Sequence, residues 1–129
     1  PAVAKCATRI SAGDAFSVMR GIAASGERFG LVVIDPPSFA SKQADIAGAI
    51  AAYRKLTALG VRLTEPGGVL VQSSCSSRVT SDAFYAAVHE AALDSGRPLD
   101  EIERTGHAID HPVGFAQGAY LKTLFALVP

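Results

Sequence analysis

No apolar run in the chain approaches the ~20 residues that cross a bilayer, and its start, PAVAKCATRI, lacks the long apolar core of a secretory signal. Neither charge sign dominates: twelve Lys and Arg stand against twelve Asp and Glu, for a net charge of zero. That balance withholds the overall basic footprint of a nucleic-acid binder and leaves a local patch or a separate module to supply one. Cysteine is scarce. Cys6 and Cys75 lie far apart, neither belongs to a CxxC pair, and the three histidines do not fall at zinc spacings. Unpaired thiols are therefore expected rather than a disulfide, and no metal site. Together these absences predict a soluble chain of cytosolic character.

What is present is the material of one globular unit. The 129 residues are 49% hydrophobic and 19% charged, enough to bury a single core and too ordered in composition for a disordered chain. The first residue is Pro1 rather than Met, which suggests a segment of a longer gene product. A short strand is expected at residues 7–11 (ATRIS), ending where Gly13 and Asp14 suit a turn and a helix cap. In AFSVMRGIAAS the apolar residues Phe16, Met19, Ile22 and Ala23 recur at helical spacing, up to Ser25 and Gly26. Residues 29–35, FGLVVID, form a continuous β-branched run, as expected of a strand covered on both faces at the centre of a parallel sheet.

A second helix follows the prolines, with Ile46, Ile50, Tyr53 and Leu56 or Thr57 on one face, and the turn EPGG at residues 65–68 ends it. GVLVQSS is the next strand. Ser81 or Thr80 can cap a third helix, striped by Phe84, Val88, Ala91 and Ala92 and broken by Gly96 and Pro98. LDEIERTG and AYLKTLFALV are two closing strands with no comparable helix between them. Strands alternating with helices predict an α/β layer sandwich, whose ligands bind beyond the carboxyl ends of the strands.

Three strand ends carry groups capable of chemistry: Gly13-Asp14, the stretch Asp35-Pro36-Pro37-Ser38-Phe39, and Ser73 to Ser77 around Cys75. In a parallel sheet they share one rim. The two prolines would hold the residues after Asp35 off the sheet in an extended turn. His107, Asp110 and His111 look like a metal cluster but sit beside Pro112 and Gly114, so a shaped turn is the expectation there. Lys42, Arg54, Lys55 and Arg78 lie near the presumed rim, where they would either touch phosphates or make a solvated face.

FGLVVIDPPSFA, YRKL at Tyr53, LTEPGGVLVQSSCSS, AIDHPV and AYLK occur in this order, and the chain from about Ser11 onward resembles the carboxyl-terminal part of class I S-adenosylmethionine-dependent methyltransferases. Within them it is similar to the ribosomal large-subunit RNA cytosine-C5 methyltransferases. The resemblance implies a partial Rossmann-like sandwich over residues 1–129, mostly parallel with an antiparallel carboxyl-terminal strand, and an enzyme acting on RNA in the cytoplasm. It also marks a departure. No GxGxxG-like run precedes ISAGDAF, so the first two strands, the glycine-rich loop and the acidic residue for the ribose lie outside the chain. Half of the cofactor site is missing with them, and the bare edge would invite pairing with a second copy.

The resemblance places Asp14 and Ala15 beside the adenine of S-adenosylmethionine, and Asp35 and Pro36 at the transferable methyl and the target base. Pro37 and Ser38 would line the base pocket. Phe39 would stack on a base or pack under the loop. Cys75 matches the thiol that adds to carbon 6 of cytosine, which makes carbon 5 a nucleophile, and Asp35, in protonated or hydrogen-bonding form, would stabilise the charge at N3. Ser74 and Ser76 could donate to that thiol. Relatives often carry a second cysteine where this chain has Ser38, so Cys75 would serve both addition and release. Two other readings stay open: purine nitrogen methylation by the DPPSF loop without a thiol, and a half-domain with no catalysis of its own.

Overall fold

The structure is a computed structural model that describes residues 6–115 and 118–129. Helix α1 (Ala15–Ala24) leads into strand β1 (Phe29–Ile34), helix α2 (Ile46–Leu63) and strand β2 (Thr64–Ser74). Helix α3 (Ser81–Asp94) and strands β3 (Asp100–Thr105) and β4 (Lys122–Val128) complete it. The four strands form one sheet in the order β1-β2-β4-β3. β1 and β2 pair in parallel, and β4 runs antiparallel to both β2 and β3. Three strands thus share a direction against β4, the mixed α/β arrangement expected of the alternating pattern.

Local chemistry accounts for the helix ends. The Asp14 carboxylate accepts from the Ser17 amide at 2.8 Å, and Thr80 does the same for the Ala83 amide at 3.2 Å, so each satisfies an orphan donor of a first turn. Of the two residues able to cap α3, Thr80 is the cap. The EPGG turn is absorbed into β2 as an irregularity between the Phe29–Thr64 and Leu31–Val69 pairings.

The helices gather on one face of the sheet. Tyr53 and Leu56 of α2 and Phe84, Val88 and Ala92 of α3 are buried with Ile34, Leu70, Leu124, Ala126 and Val128 of the strands. Phe16 and Met19 of α1 pack against the same core, yet no residue of α1 is fully buried. Arg97 locks the far end, its guanidinium donating to the carbonyl oxygens of Val61, Thr64 and Pro129.

Two expectations fail for one physical reason. Residues 7–11 form no strand, and β1 is an edge strand rather than the centre, with Leu31 and Val33 each 60% exposed. A strand exists only where a neighbour completes its ladder, and a run that is apolar on both faces is buried on both only where layers cover both. The described residues supply helices to one face and no partner beyond β1.

Gly68 lies where a Cβ would come within 2.8 Å of Thr64 Cγ2 and 3.0 Å of the carbonyl oxygens of Glu65 and Gly30. Backbone on two sides cannot yield as a side-chain tip can. Gly68→Ala should lower the unfolding free energy by about 1–3 kcal/mol, read by urea denaturation. Gly21→Ala in α1, with nothing within 4 Å of the added carbon, should instead raise it by up to about 1 kcal/mol.

Candidate functional site

The carboxyl ends of β1 and β2 lie side by side, with Ile34 in register with Gln72, so the residues that follow each strand meet at one rim. After β1 the chain runs through Asp35, Pro36, Pro37, Ser38 and Phe39. After β2 it runs through Cys75 and Ser76. The Cys75 thiol lies 3.8 Å from the Pro36 carbonyl oxygen, a sulfur hydrogen bond across the two loops. Cys75 is half-buried and Asp35 exposed.

A hydroxyl network fixes this junction. The Tyr53 hydroxyl, fully buried under the rim, is 2.8 Å from Ser74 Oγ and 3.1 Å from Ser76 Oγ. Ser76 Oγ accepts from the amides of Phe39 at 3.2 Å and Ala40 at 3.4 Å, and lies 3.0 Å from Ser38 Oγ. The Ser76 amide donates to Ser74 Oγ at 3.3 Å. A hydroxyl has one proton and two lone pairs. With both lone pairs of Ser76 facing amides, its proton passes to Tyr53 or Ser38, while Tyr53 can donate onward to Ser74. One serine thereby closes the DPPSF loop onto the end of β2. Ser74 and Ser76, expected to donate to the thiol, are committed to this network instead, because a dry core obliges Tyr53 and the loop amides to find partners.

Phe39 packs under the loop. Its ring meets Tyr53 at a centroid distance of 5.3 Å and a tilt of 60°, which opens an aromatic series through Phe84 to Tyr85. Of the two roles expected of Phe39, packing under the loop is seen, against Tyr53 and the core beneath it, while the residue also borders the groove described next.

Between α1, β1, α2 and the DPPSF loop lies a groove of about 540 Å³. Its walls are apolar, built from Phe16, Met19, Leu31, Val33, Leu56 and Leu63, and the carboxylates of Asp14 and Asp35 both border it. Ala15, Pro36, Pro37 and Phe39 line it as well, whereas Ser38 and Cys75 stand outside its lining on the rim. Asp14 remains a helix cap, and hydrogen bonding from the side chain and amide of Ser17 holds its carboxyl below the ordinary aspartate range. Cap and groove wall are compatible roles, because a carboxylate has lone pairs for both.

The cations named from sequence are partly spoken for. Arg54 holds Glu90 and Asp94 of α3, each at 2.6 Å, and Lys55 sits 5.7 Å from the centroid of the Phe16 ring. His89 of α3 bonds Glu101 of β3 at 3.0 Å. The His107 and His111 rings stack at 4.2 Å, with the edge of Tyr120 against His107. His107 Nε2 accepts from the Leu121 amide at 3.3 Å, so the pair shapes the approach to β4. The residue that sequence reasoning missed is Lys122. Its buried ammonium donates to the carbonyl oxygens of Ser76 and Val79, and nothing in AYLK distinguishes it from a surface lysine.

The chain is 41% identical over 120 residues to a protein of Shewanella amazonensis named ribosomal RNA large subunit methyltransferase I, covering 92% of the chain and 30% of that protein. It is 38% identical over 111 residues to a Salmonella arizonae protein of the same name, covering 84% and 28%. The chain thus spans about 30% of the length of the curated relatives it matches. No protein-family model matches it. Among solved structures, a protein assigned as a methyltransferase and complexed with SAH superposes over 90% of this chain and 30% of its own, with a TM-score of 0.73 and 19% identity. The chain shares the fold of the matched 30% of that protein.

Removing the Ser76 hydroxyl leaves the Phe39 and Ala40 amides and the Tyr53 hydroxyl short of a partner. Ser76→Ala should cost about 1–3 kcal/mol of stability and speed amide exchange at Phe39 and Ala40 by tenfold or more. Unchanged exchange at those two positions would show that something else holds the loop.

Proposed function

We propose that this chain is the carboxyl-terminal portion of the catalytic domain of an S-adenosylmethionine-dependent methyltransferase that modifies cytosine carbon 5 of ribosomal RNA through Cys75. The names borne by the relatives support the class of reaction and the kind of RNA. The observation that carries the assignment to a thiol is the 3.8 Å approach of Cys75 Sγ to the Pro36 carbonyl, which sets a nucleophile beside the loop that would hold the base.

The groove suits half of a cofactor. An adenine ring needs flat apolar walls with polar groups at its edge, and Phe16, Met19 and Leu31 with Asp14 and Asp35 at the border offer that. The groove is open along β1, where the described chain has no glycine-rich turn. S-adenosylmethionine, when bound, supplies the methyl group from its sulfonium. The residues of this chain do the rest. The Cys75 thiolate adds to carbon 6 of the pyrimidine and pushes electron density onto carbon 5. Asp35, exposed at the rim, would in protonated form donate a hydrogen bond to N3 and so stabilise the negative charge that develops there. After transfer, loss of the carbon 5 proton to a base lets the carbon 6–sulfur bond break and returns the thiolate. With Ser38 at the position after the prolines, Cys75 both adds and leaves.

Purine nitrogen methylation fits less well. That chemistry would present an aromatic from the DPPSF loop to the base, and the Phe39 ring is packed on Tyr53.

Two outcomes are expected. In the longer protein that contains this chain, Cys75→Ser should reduce methyl transfer to cytosine in ribosomal RNA by about a thousandfold or more, measured by tritium incorporation from labelled S-adenosylmethionine. Retained transfer in that variant would remove the thiol from the mechanism. Calorimetric titration of S-adenosylmethionine should show binding to the longer protein and little or none to residues 1–129, and equal binding by both would mean that the open groove is a complete cofactor site.

A further inference from the structure

Lys122 opens β4 and is 4% exposed. Across the sheet it stands in register with Ser74, the residue before Cys75, so both side chains leave the sheet on the helix-covered face. Its Nζ donates to the carbonyl oxygens of Ser76 at 2.6 Å and Val79 at 2.7 Å. Those two carbonyls bracket the turn that carries the chain from the thiol to the Thr80 cap of α3. The ammonium thus ties β4 to the residue immediately following Cys75.

Two carbonyls do not account for a charge in that place. Taking an ammonium out of water costs several kcal/mol even after relaxation, and a neutral donor could serve the same oxygens. Among the described residues Arg9, Arg54 and Arg104 pair with carboxylates, and no carboxylate pairs with Lys122. The elements around it carry Tyr53, Tyr85, Asp35 and Arg78, and the carbonyl that Nζ bonds at Ser76 belongs to the residue next to the Cys75 thiol. Burial pulls the lysine pKa below its usual value and Cys75 pushes it back up. Two of the three N–H donors hold the turn, which leaves one for an anion.

We infer that Lys122 is a positioning residue for Cys75: it holds the 76–79 turn so that the thiol stays against the Pro36 carbonyl, and its charge is the counter-ion of the attacking thiolate. The inference deepens the thiol mechanism proposed above and rests on it. On ionisation the Cys75 proton leaves to water, which reaches the half-buried sulfur, and the pair that remains is ammonium and thiolate.

Alkylation by iodoacetamide reports the thiolate. It can be followed at Cys75 alone by mass spectrometry of its peptide, from neutral to alkaline pH, in the longer protein without cofactor or RNA. Lys122→Gln keeps a donor for the turn but no charge, and should slow alkylation at neutral pH about tenfold, the equivalent of one pH unit, while Lys122→Arg should keep the parental profile. A parental profile in Lys122→Gln would overturn the inference. Should Lys122→Gln fail to fold, coupling can be read from the other side, since it is reciprocal. The Lys122 Nζ resonance should titrate at lower pH in Cys75→Ser than in the parent, and equal midpoints would overturn the inference. If methyl transfer survives in Cys75→Ser, the thiol mechanism fails by itself. If alkylation is indifferent to Lys122 while Cys75→Ser is inactive, only the role of Lys122 fails.

Discussion

The fully buried hydroxyl of Tyr53 is the constraint around which the rim is arranged. A phenol oxygen in a dry core must be hydrogen-bonded, because leaving it unpaired costs about 1–3 kcal/mol. The available partners are the serines where β2 ends, Ser74 at 2.8 Å and Ser76 at 3.1 Å. Satisfying Tyr53 therefore fixes the height of α2 against β2 and the direction in which the chain leaves the sheet. Ser76 then captures the Phe39 and Ala40 amides, and the DPPSF loop lands beside Cys75. The same tyrosine ring is the meeting point of Phe39 and Phe84, so apolar packing and polar satisfaction select one geometry. Agreement of that kind across levels is what allows a loop rich in proline to be held without regular secondary structure.

Cationic donors on carbonyl oxygens recur at both ends of the sheet. At the entry to β2, Arg97 gathers the carbonyls of Val61, Thr64 and Pro129. At its exit, Lys122 gathers those of Ser76 and Val79. Both sites lie where the chain turns out of regular structure and carbonyls lack ladder partners, and a charged donor binds such oxygens more strongly than a neutral one. The two differ in exposure: Arg97 reaches partly into solvent, whereas Lys122 is buried.

The sheet is finished on one face and open on the other. Leu31 and Val33 point away from the helices, and the groove that Asp14 and Asp35 border has a wall missing along β1. Among the described residues β1 is thus an apolar edge strand, the kind of edge that another strand or chain can pair with. The covered half carries the rim with its thiol and proline loop. The open half is where a cofactor groove would need its other wall.

Much of this was legible in the residues themselves. Periodicity marked α2 through Ile46, Ile50, Tyr53 and Leu56, and the β-branched run marked β1, since 3.6- and 2-residue repeats are written directly in side-chain order. Asp14, and Thr80 or Ser81, announced their helices because capping is a local hydrogen bond. The ordered motifs DPPSF and SSCSS indicated a shared rim, because parallel strands deliver their ends to the same side. What could not be read this way depended on partners distant in sequence. Whether residues 7–11 are a strand is decided by a neighbouring ladder, and whether β1 is central by the layers around it. The packing of Phe39 on Tyr53 could not be read from order alone, and Ser74 and Ser76 looked like helpers of Cys75 until the buried phenol claimed them. Lys122, ordinary in its sequence, became a buried cation only when β4 paired with β2 in one register. Sequence alone determined the elements, their caps and the chemistry available at their ends, because those follow from short-range geometry. Tertiary structure alone decided which polar groups satisfy one another, because burial creates that obligation and only the folded chain brings the partners together.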